Sequence, residues 1–264
     1  MTHPTSTIGP HLQSPAIYIG ASTKMYMGYQ SSLCWLRALR HEVEARPGLT
    51  AGRVIPFVIP SFPVLAKAQE IIAGTALLLG AQNCGWADGP WTGEVAPSML
   101  AELGVDFVEI GHAERRKHFA EDNHVVSRKV AAALAAGLKP LLCVGESENS
   151  TPEKAALFVY EQILAAVAGN WLDARSLFIA YEPVWAIGAA EPAAPGYISG
   201  VIQGVRALLA EHGLSDLPIV YGGSAKPGLL PQLNHVSGLF LGRFVHDPVN
   251  FGAILDEALT LQQH

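Results

Sequence analysis

Three side chains of different chemical type stand in segments too distinctive to be only solvated surface. They are Lys24 in Gly20-Ala-Ser-Thr-Lys-Met25, His112 in Val108-Glu-Ile-Gly-His-Ala-Glu-Arg-Arg116, and Glu182 in Ala180-Tyr-Glu-Pro-Val-Trp-Ala-Ile-Gly188. Taken singly, each has a bland reading: a solvated lysine, a histidine that caps a helix, a glutamate in a turn before proline. Brought to one place, an ammonium, an imidazole and a carboxylate suit an anionic substrate with an acidic C–H beside a carbonyl. A carboxylate such as Glu182 can take a carbon-bound proton and return it one carbon along. The enediolate formed in between carries charge on oxygen, which needs donors already aimed at it. His112 would open the fourth helix, where the positive end of the helix dipole disfavours a second proton on the ring. Lys24 would supply fixed positive charge, and Glu114, two residues past the histidine, would either relay charge near Lys24 or favour the start of that helix. Gly188, Gly223, Ser224 and Gly242 are small residues that let main-chain N–H groups approach a phosphate. This chemistry requires no metal and no organic cofactor.

Residues more than two hundred positions apart can meet only if the fold gathers strand ends at one mouth. Short, continuously apolar runs occur at 17–21, 54–60, 77–82, 107–111, 140–145, 177–181, 218–222 and 238–242. Such runs fit strands of a parallel sheet buried on both faces. Helical spacing recurs between them, as in Leu33, Leu36, Leu39 and Val43, in Val125, Val130 and Leu134, and in Ile202, Val205, Leu208 and Leu209. Eight strands each followed by a helix predict a single α/β domain, a (β/α)8 TIM barrel of parallel strands over residues 16–264, preceded by a polar leader at 1–15. The 264 residues match the ~250 such a barrel typically takes. An open doubly wound sheet would usually place GxGxxG after its first strand, and neither that pattern nor a P-loop is present.

The formal net charge of -6, without a Lys/Arg stripe, argues against nucleic acid or an anionic membrane as partner. An anionic substrate must therefore be held by local donors. Cys34, Cys84 and Cys143 have neither disulfide-framework nor zinc spacing and read as reduced thiols of a cytoplasmic protein. His118, His124 and His246 lack ligand spacing, and the pair Trp86 and Trp91 reads as loop packing.

From about Ile17 to Leu259 the sequence resembles the triosephosphate isomerase family. The tract 180–188 is similar to that family's catalytic-base segment and the start of its lid, and Gly111-His-Ala-Glu-Arg-Arg116 to its electrophile segment. Leu142-Cys-Val-Gly-Glu146, Tyr221-Gly-Gly-Ser224 and the stretch from Gly80-Ala-Gln-Asn-Cys to Trp91-Thr-Gly-Glu-Val-Ala-Pro97 match as well. The resemblance implies an isomerase of a small sugar phosphate, with Lys24, His112 and Glu182 catalytic. The pairing of a carboxylate base with a neutral imidazole is the known arrangement of triosephosphate isomerase itself and is carried over with the resemblance. The resemblance also implies a homodimer through residues 83–97, with Thr92 and Glu94 supporting neighbouring catalytic loops and Glu94 pairing with Arg115. A mobile lid over 183–192 would close on the substrate.

Four positions depart from the family pattern. Ser22 stands where asparagine is usual, Ala113 where serine is, Ala189-Ala-Glu-Pro192 where Thr-Gly-Lys-Thr is, and Gly242-Arg243 where Gly-Gly is. The lid's alanines and proline suggest a stiffer second hinge. Arg243 could clamp a phosphate or turn away into a structural pair. Gly-Arg on the last strand with a proline in the lid resembles the divergent branch linked to erythritol catabolism, which acts on erythrulose phosphates. Two substrates thus stand open: the triose phosphates of glycolysis and gluconeogenesis, or a four-carbon ketose phosphate. A non-catalytic sugar-phosphate binding protein on the same barrel is the alternative of another class.

Overall fold

The computed structural model describes residues 16–188 and 191–262. The leader expected at 1–15 and two lid residues, Ala189 and Ala190, lie outside them. The strands are β1 (Ile17–Ser22), β2 (Val54–Ile59), β3 (Leu78–Ala81), β4 (Phe107–Ile110), β5 (Lys139–Val144), β6 (Phe178–Tyr181), β7 (Ile219–Gly223) and β8 (Gly238–Leu241). Every neighbouring pair is parallel, and β8 returns to β1, so the sheet closes as a barrel in sequence order. Each apolar run expected as a strand is one, with ends moved by no more than two residues.

The helices are α1 (Tyr29–Glu44), α2 (Leu65–Ile72), α3 (Pro97–Glu102), α4 (Ala113–His118), α5 (Asn123–Ala135), α6 (Pro152–Ala166), α7 (Trp171–Ala174), α8 (Pro195–Ala210) and α9 (Pro248–Leu261). Prolines open α3, α6, α8 and α9, where a missing N–H is harmless and φ is already helical. Asp122 caps α5 by accepting the Val125 N–H at 2.9 Å. The expected faces of α1 and α8 are largely buried. In α5 the buried face is turned from expectation: Val126, Lys129, Val130 and Ala133 are buried, while Val125 and Leu134 are only half-buried. Lys129 takes a core position because its Nζ meets Glu121 Oε1 at 2.5 Å and Asn83 Oδ1 at 2.9 Å. A buried ammonium needs that pairing.

Alternate strand residues point into the barrel. Phe57, Phe107, Phe178 and Phe240 fill its lower part, with Phe57 at 5.3–5.7 Å ring-centroid distance from the other three. Gly20 makes room for them, since a Cβ there would lie 1.9 Å from the Phe57 ring. A filled floor leaves only the carboxyl-end rim open to ligand. Among the described residues no helix is long and apolar enough to cross a membrane.

Candidate active site

Every residue singled out above for catalysis or phosphate binding lines one cavity of about 790 Å³ at the carboxyl ends of the strands: Ser22, Lys24, His112, Glu114, Glu182, Gly188, Gly223, Ser224, Gly242 and Arg243. The barrel brings together groups from β1, β4 and β6 on one side of the chemistry and the turns after β6, β7 and β8 on the other.

Lys24 has φ +46°, a left-handed conformation uncommon for a side-chain-bearing residue. Its carbonyl is fixed by Ser61 Oγ at 2.8 Å and Gln82 Nε2 at 2.7 Å, with Thr23 Oγ1 a longer third donor at 3.3 Å. Such strain persists where surrounding contacts over-determine it. The result aims Nζ at the cavity, 2.6 Å from Glu114 Oε1. Burial works against the ammonium, but the bond to Glu114 and the charges of Glu182, Glu114 and Glu109 outweigh it, so the Lys24 pKa is raised. Sequence reading did not find Ser61 or Gln82, because a side chain that grips another residue's carbonyl leaves no pattern along the chain.

Glu182 follows β6 and is buried. Its N–H is held by the Val144 carbonyl at 2.8 Å. Its side chain lies flat against Gly222, where a Cβ would come within 2.4 Å of Cγ and 2.5 Å of Oε1. Burial pushes the carboxyl pKa up, yet His112 and Lys24 draw it below the ordinary value, leaving an ionised carboxylate. Gly222→Ala should therefore displace the carboxylate by a fraction of an ångström. The expected loss is about 100-fold in kcat, the usual scale for a misplaced reacting group. Steady-state kinetics on a variant with unchanged circular dichroism checks it, and full activity would show that the carboxylate has other room.

His112 caps α4. Its Nδ1 accepts the Glu114 N–H at 3.1 Å, and its Nε2 lies 3.3 Å from Glu182 Oε2. Burial opposes a second proton on the ring, while the carboxylates of Glu182 and Glu109 favour one and would carry its pKa to about 9. A second proton, on Nδ1, would face the Glu114 N–H and, at 3.6 Å, Glu114 Oε2. In its neutral form the ring accepts that N–H at Nδ1 and carries its proton on Nε2, toward the cavity. Helix α4 has only six residues, so this one amide, more than a long helix dipole, sets the tautomer.

Glu109 was not singled out in the sequence, although a glutamate in the four-residue strand Phe-Val-Glu-Ile is the signal that could have found it. It is 5% exposed and lines the cavity floor. Burial raises its pKa to about 7; His112 and Lys24 pull down, and Glu182 and Glu114 push up. An acid whose folded pKa exceeds its ordinary 4.5 stabilises the fold below pH 4.5. That contribution is lost as pH climbs through 7, by about 3 kcal/mol at most. Glu109→Gln should flatten this decline, so the fall in Tm between pH 5.5 and 8 should shrink; an unchanged fall would mean the carboxyl titrates normally.

At the opposite lip, Gly188 and Gly223 have φ of +78° and +150°, and Gly242 precedes the turn that carries Arg243. The Arg243 guanidinium is exposed, 5.9 Å from the Tyr26 ring centroid, and forms no ion pair among the described residues. The structural pair open to it in the sequence is thus not made. The Glu94–Arg115 pair is not formed within one chain either: Arg115 turns to Glu121 at 2.6 Å, because Glu121 is already anchored by Lys129, while Glu94 is exposed. Cys143 is buried beside the site, and Trp86 packs edge-on against Trp91 at 4.9 Å. The segment expected as a lid is tied on both flanks. Trp185 Nε1 and Tyr197 Oη each donate to Glu146 Oε1 at 2.8 Å, and Ala193 N–H donates to Tyr221 Oη at 3.3 Å.

The triosephosphate isomerase family model matches residues 17–258. The chain is 44% identical to an L-erythrulose-1-phosphate isomerase of Pectobacterium atrosepticum, covering 95% of this chain and 98% of that protein. It is 40% identical to one of Mycolicibacterium smegmatis, over 94% of this chain and 95% of the relative. It is 36% identical to one of Brucella abortus, over 93% and 98%. An imidazole, a carboxylate and an ammonium at one rim, on a closed parallel barrel, accord with these likenesses. The chain is a sugar-phosphate isomerase of the intramolecular aldose–ketose type, and it belongs to the triosephosphate isomerase family.

Proposed function

We propose that this isomerase acts on a four-carbon ketose phosphate, L-erythrulose 1-phosphate, and moves its carbonyl one carbon along. The observation that carries the reading is the near full-length likeness to relatives bearing that substrate in their name. Gly242-Arg243 at the cavity lip supports it. Glu182 takes the proton from C3, and the enediolate forms across C2 and C3. Nε2–H of His112 donates to the two oxygens in turn and passes the O3 proton to O2. Lys24 offsets the developing charge, with Glu114 holding its ammonium in place. Glu182 then returns the proton to C2. The product is the isomeric ketose, phosphorylated at the carbon farther from the new carbonyl. With hydrogen in place of the terminal hydroxymethyl group, as in dihydroxyacetone phosphate, the same steps give an aldose.

The phosphate sits against Gly188, Gly223, Ser224 and Gly242, with Arg243 closing on it and Ser22 at the far side of the pocket. The active form is a cytoplasmic homodimer through residues 83–97. Its support is that Trp91, Thr92 and Glu94 are exposed in the single chain, as are Met25 and Tyr26 next to Lys24.

The test is kcat/KM for L-erythrulose 1-phosphate against dihydroxyacetone phosphate. A ratio of about 100 or more is expected, worth about 2.7 kcal/mol in transition-state binding; a ratio below one overturns the reading. Arg243→Ala should raise KM about 10- to 100-fold, the range for a lost charge-assisted hydrogen bond, with kcat kept. An unchanged KM would place the guanidinium off the phosphate.

A further inference from the structure

We propose that Glu109 is a specificity-determining residue: its carboxyl group, in the pocket floor at the end away from the phosphate turns, receives the terminal hydroxymethyl group that a four-carbon ketose phosphate has and a three-carbon one lacks. The inference rests on the four-carbon reading above.

Glu109 is placed by the alternation of β4. Phe107 points inward to the aromatic floor, so Glu109, two residues on, points inward one layer higher. A carboxyl group here is hard to account for as packing, since its strand neighbours are all apolar. No lysine or arginine pairs with it among the described residues. It accepts one long hydrogen bond on each oxygen, from Ser22 Oγ to Oε2 at 3.4 Å and from the weak donor Cys143 Sγ to Oε1 at 3.8 Å. His112 Nε2 stands 4.0 Å from Oε1 and already faces Glu182. The group therefore keeps most of its hydrogen-bonding capacity while buried against a cavity. Buried polar atoms with unused capacity at a pocket wall are where a ligand's polar group completes the bonding.

The barrel fixes which ligand group that is. In a closed ring of eight strands β4 lies opposite β8. A phosphate held by the turns after β6, β7 and β8 directs the rest of the substrate across the mouth, past Glu182 and His112, toward β4. The reacting carbons lie at Nε2 of His112, and what extends one carbon further meets Glu109. Near neutrality this carboxyl is partly protonated, with Lys24, His112, Glu114 and Glu182 as the charged or titratable groups around it. It can therefore both accept from and donate to a hydroxyl. Ser22, with a short side chain on β1, lines the same corner and leaves it open.

The test uses the purified parent chain with Glu109→Leu and Glu109→Gln. Two quantities are read for each: kcat/KM on L-erythrulose 1-phosphate, and the inhibition constant of dihydroxyacetone phosphate as competing ligand. Glu109→Leu should lower the first about 100-fold and leave the second within about threefold, the scale on which a site built for a hydroxyl fails once its partner is gone. Glu109→Gln, which still donates and accepts, should recover most of the loss. Equal loss on both readouts, or no loss on either, overturns the proposal while leaving the four-carbon substrate intact. A parent without turnover of L-erythrulose 1-phosphate overturns the substrate reading and this inference with it. Should Glu109→Leu not fold, Glu109→Asp carries the test: a carboxyl drawn back by one methylene must lose selectively on the four-carbon substrate, and a uniform loss rejects the role.

Discussion

Glu182→Gln is expected to lower kcat about 10³- to 10⁴-fold while the protein still binds sugar phosphate within about fivefold of the parent affinity. The amide has the shape of the carboxylate, and its oxygen can still accept from His112 Nε2, so the 3.3 Å contact and the fit against Gly222 survive. What it lacks is basicity. In the proposed mechanism Glu182 takes a proton from carbon, and neither other carboxyl group of the cavity is placed for that step. Glu109 is on the floor and partly protonated, and Glu114 is occupied by Lys24 at 2.6 Å. Steady-state rates with calorimetric titration of dihydroxyacetone phosphate separate the two effects. A variant retaining a tenth of the parent rate would show that the proton goes elsewhere.

Lys24→Met should reduce kcat/KM about 10³-fold, through both kcat and KM. The thioether fills the same channel, but Glu109, Glu114 and Glu182 then surround an anionic substrate without the Lys24 ammonium, while the cavity's other ammonium, Lys226, is paired with Glu191 at 2.9 Å. A loss of this size corresponds to about 4 kcal/mol, near the upper range for removing one preorganised electrostatic donor. Stability should shift by no more than about 1 kcal/mol, since the Lys24–Glu114 pair is partly exposed and screened. The raised pKa of Lys24 sharpens the test. The ammonium stays charged to alkaline pH, so raising the parent to pH 9 should not reproduce the Met variant's loss. If it did, a group other than Lys24 would supply the charge.

Much of this arrangement was legible in the sequence because it is carried by strand ends. Apolar runs locate the eight strands, and the polar residue just past each run is then a rim residue, which is how Lys24, His112 and Glu182 become neighbours without any contact being known. Illegible were features created by folding rather than by period. Lys129 reads as a solvent-facing helix position, yet it is buried because Glu121 and Asn83 wait for it. Ser61 looks like loop filler and Gln82 like a strand end, yet they hold the backbone of Lys24 in its strained turn. Glu109 hides inside an apolar strand because its purpose appears only when the opposite wall of the barrel is known. The tautomer of a neutral His112 follows from one amide, the Glu114 N–H on Nδ1, which no spacing along the chain reveals.

The carboxylate of Glu146 has a consequence for turnover. Tyr181, at the end of β6, lies within 3.3 Å of it, and Trp185 and Tyr197 join it from either side of residues 186–196. One acceptor therefore ties both flanks of the segment expected as a lid, shortening the stretch between fixed points. Were that segment to swing outward as a lid, a bond to this oxygen would be traded for one to water. Glu146 is outside the cavity lining, so it would set the speed of opening apart from the speed of proton transfer.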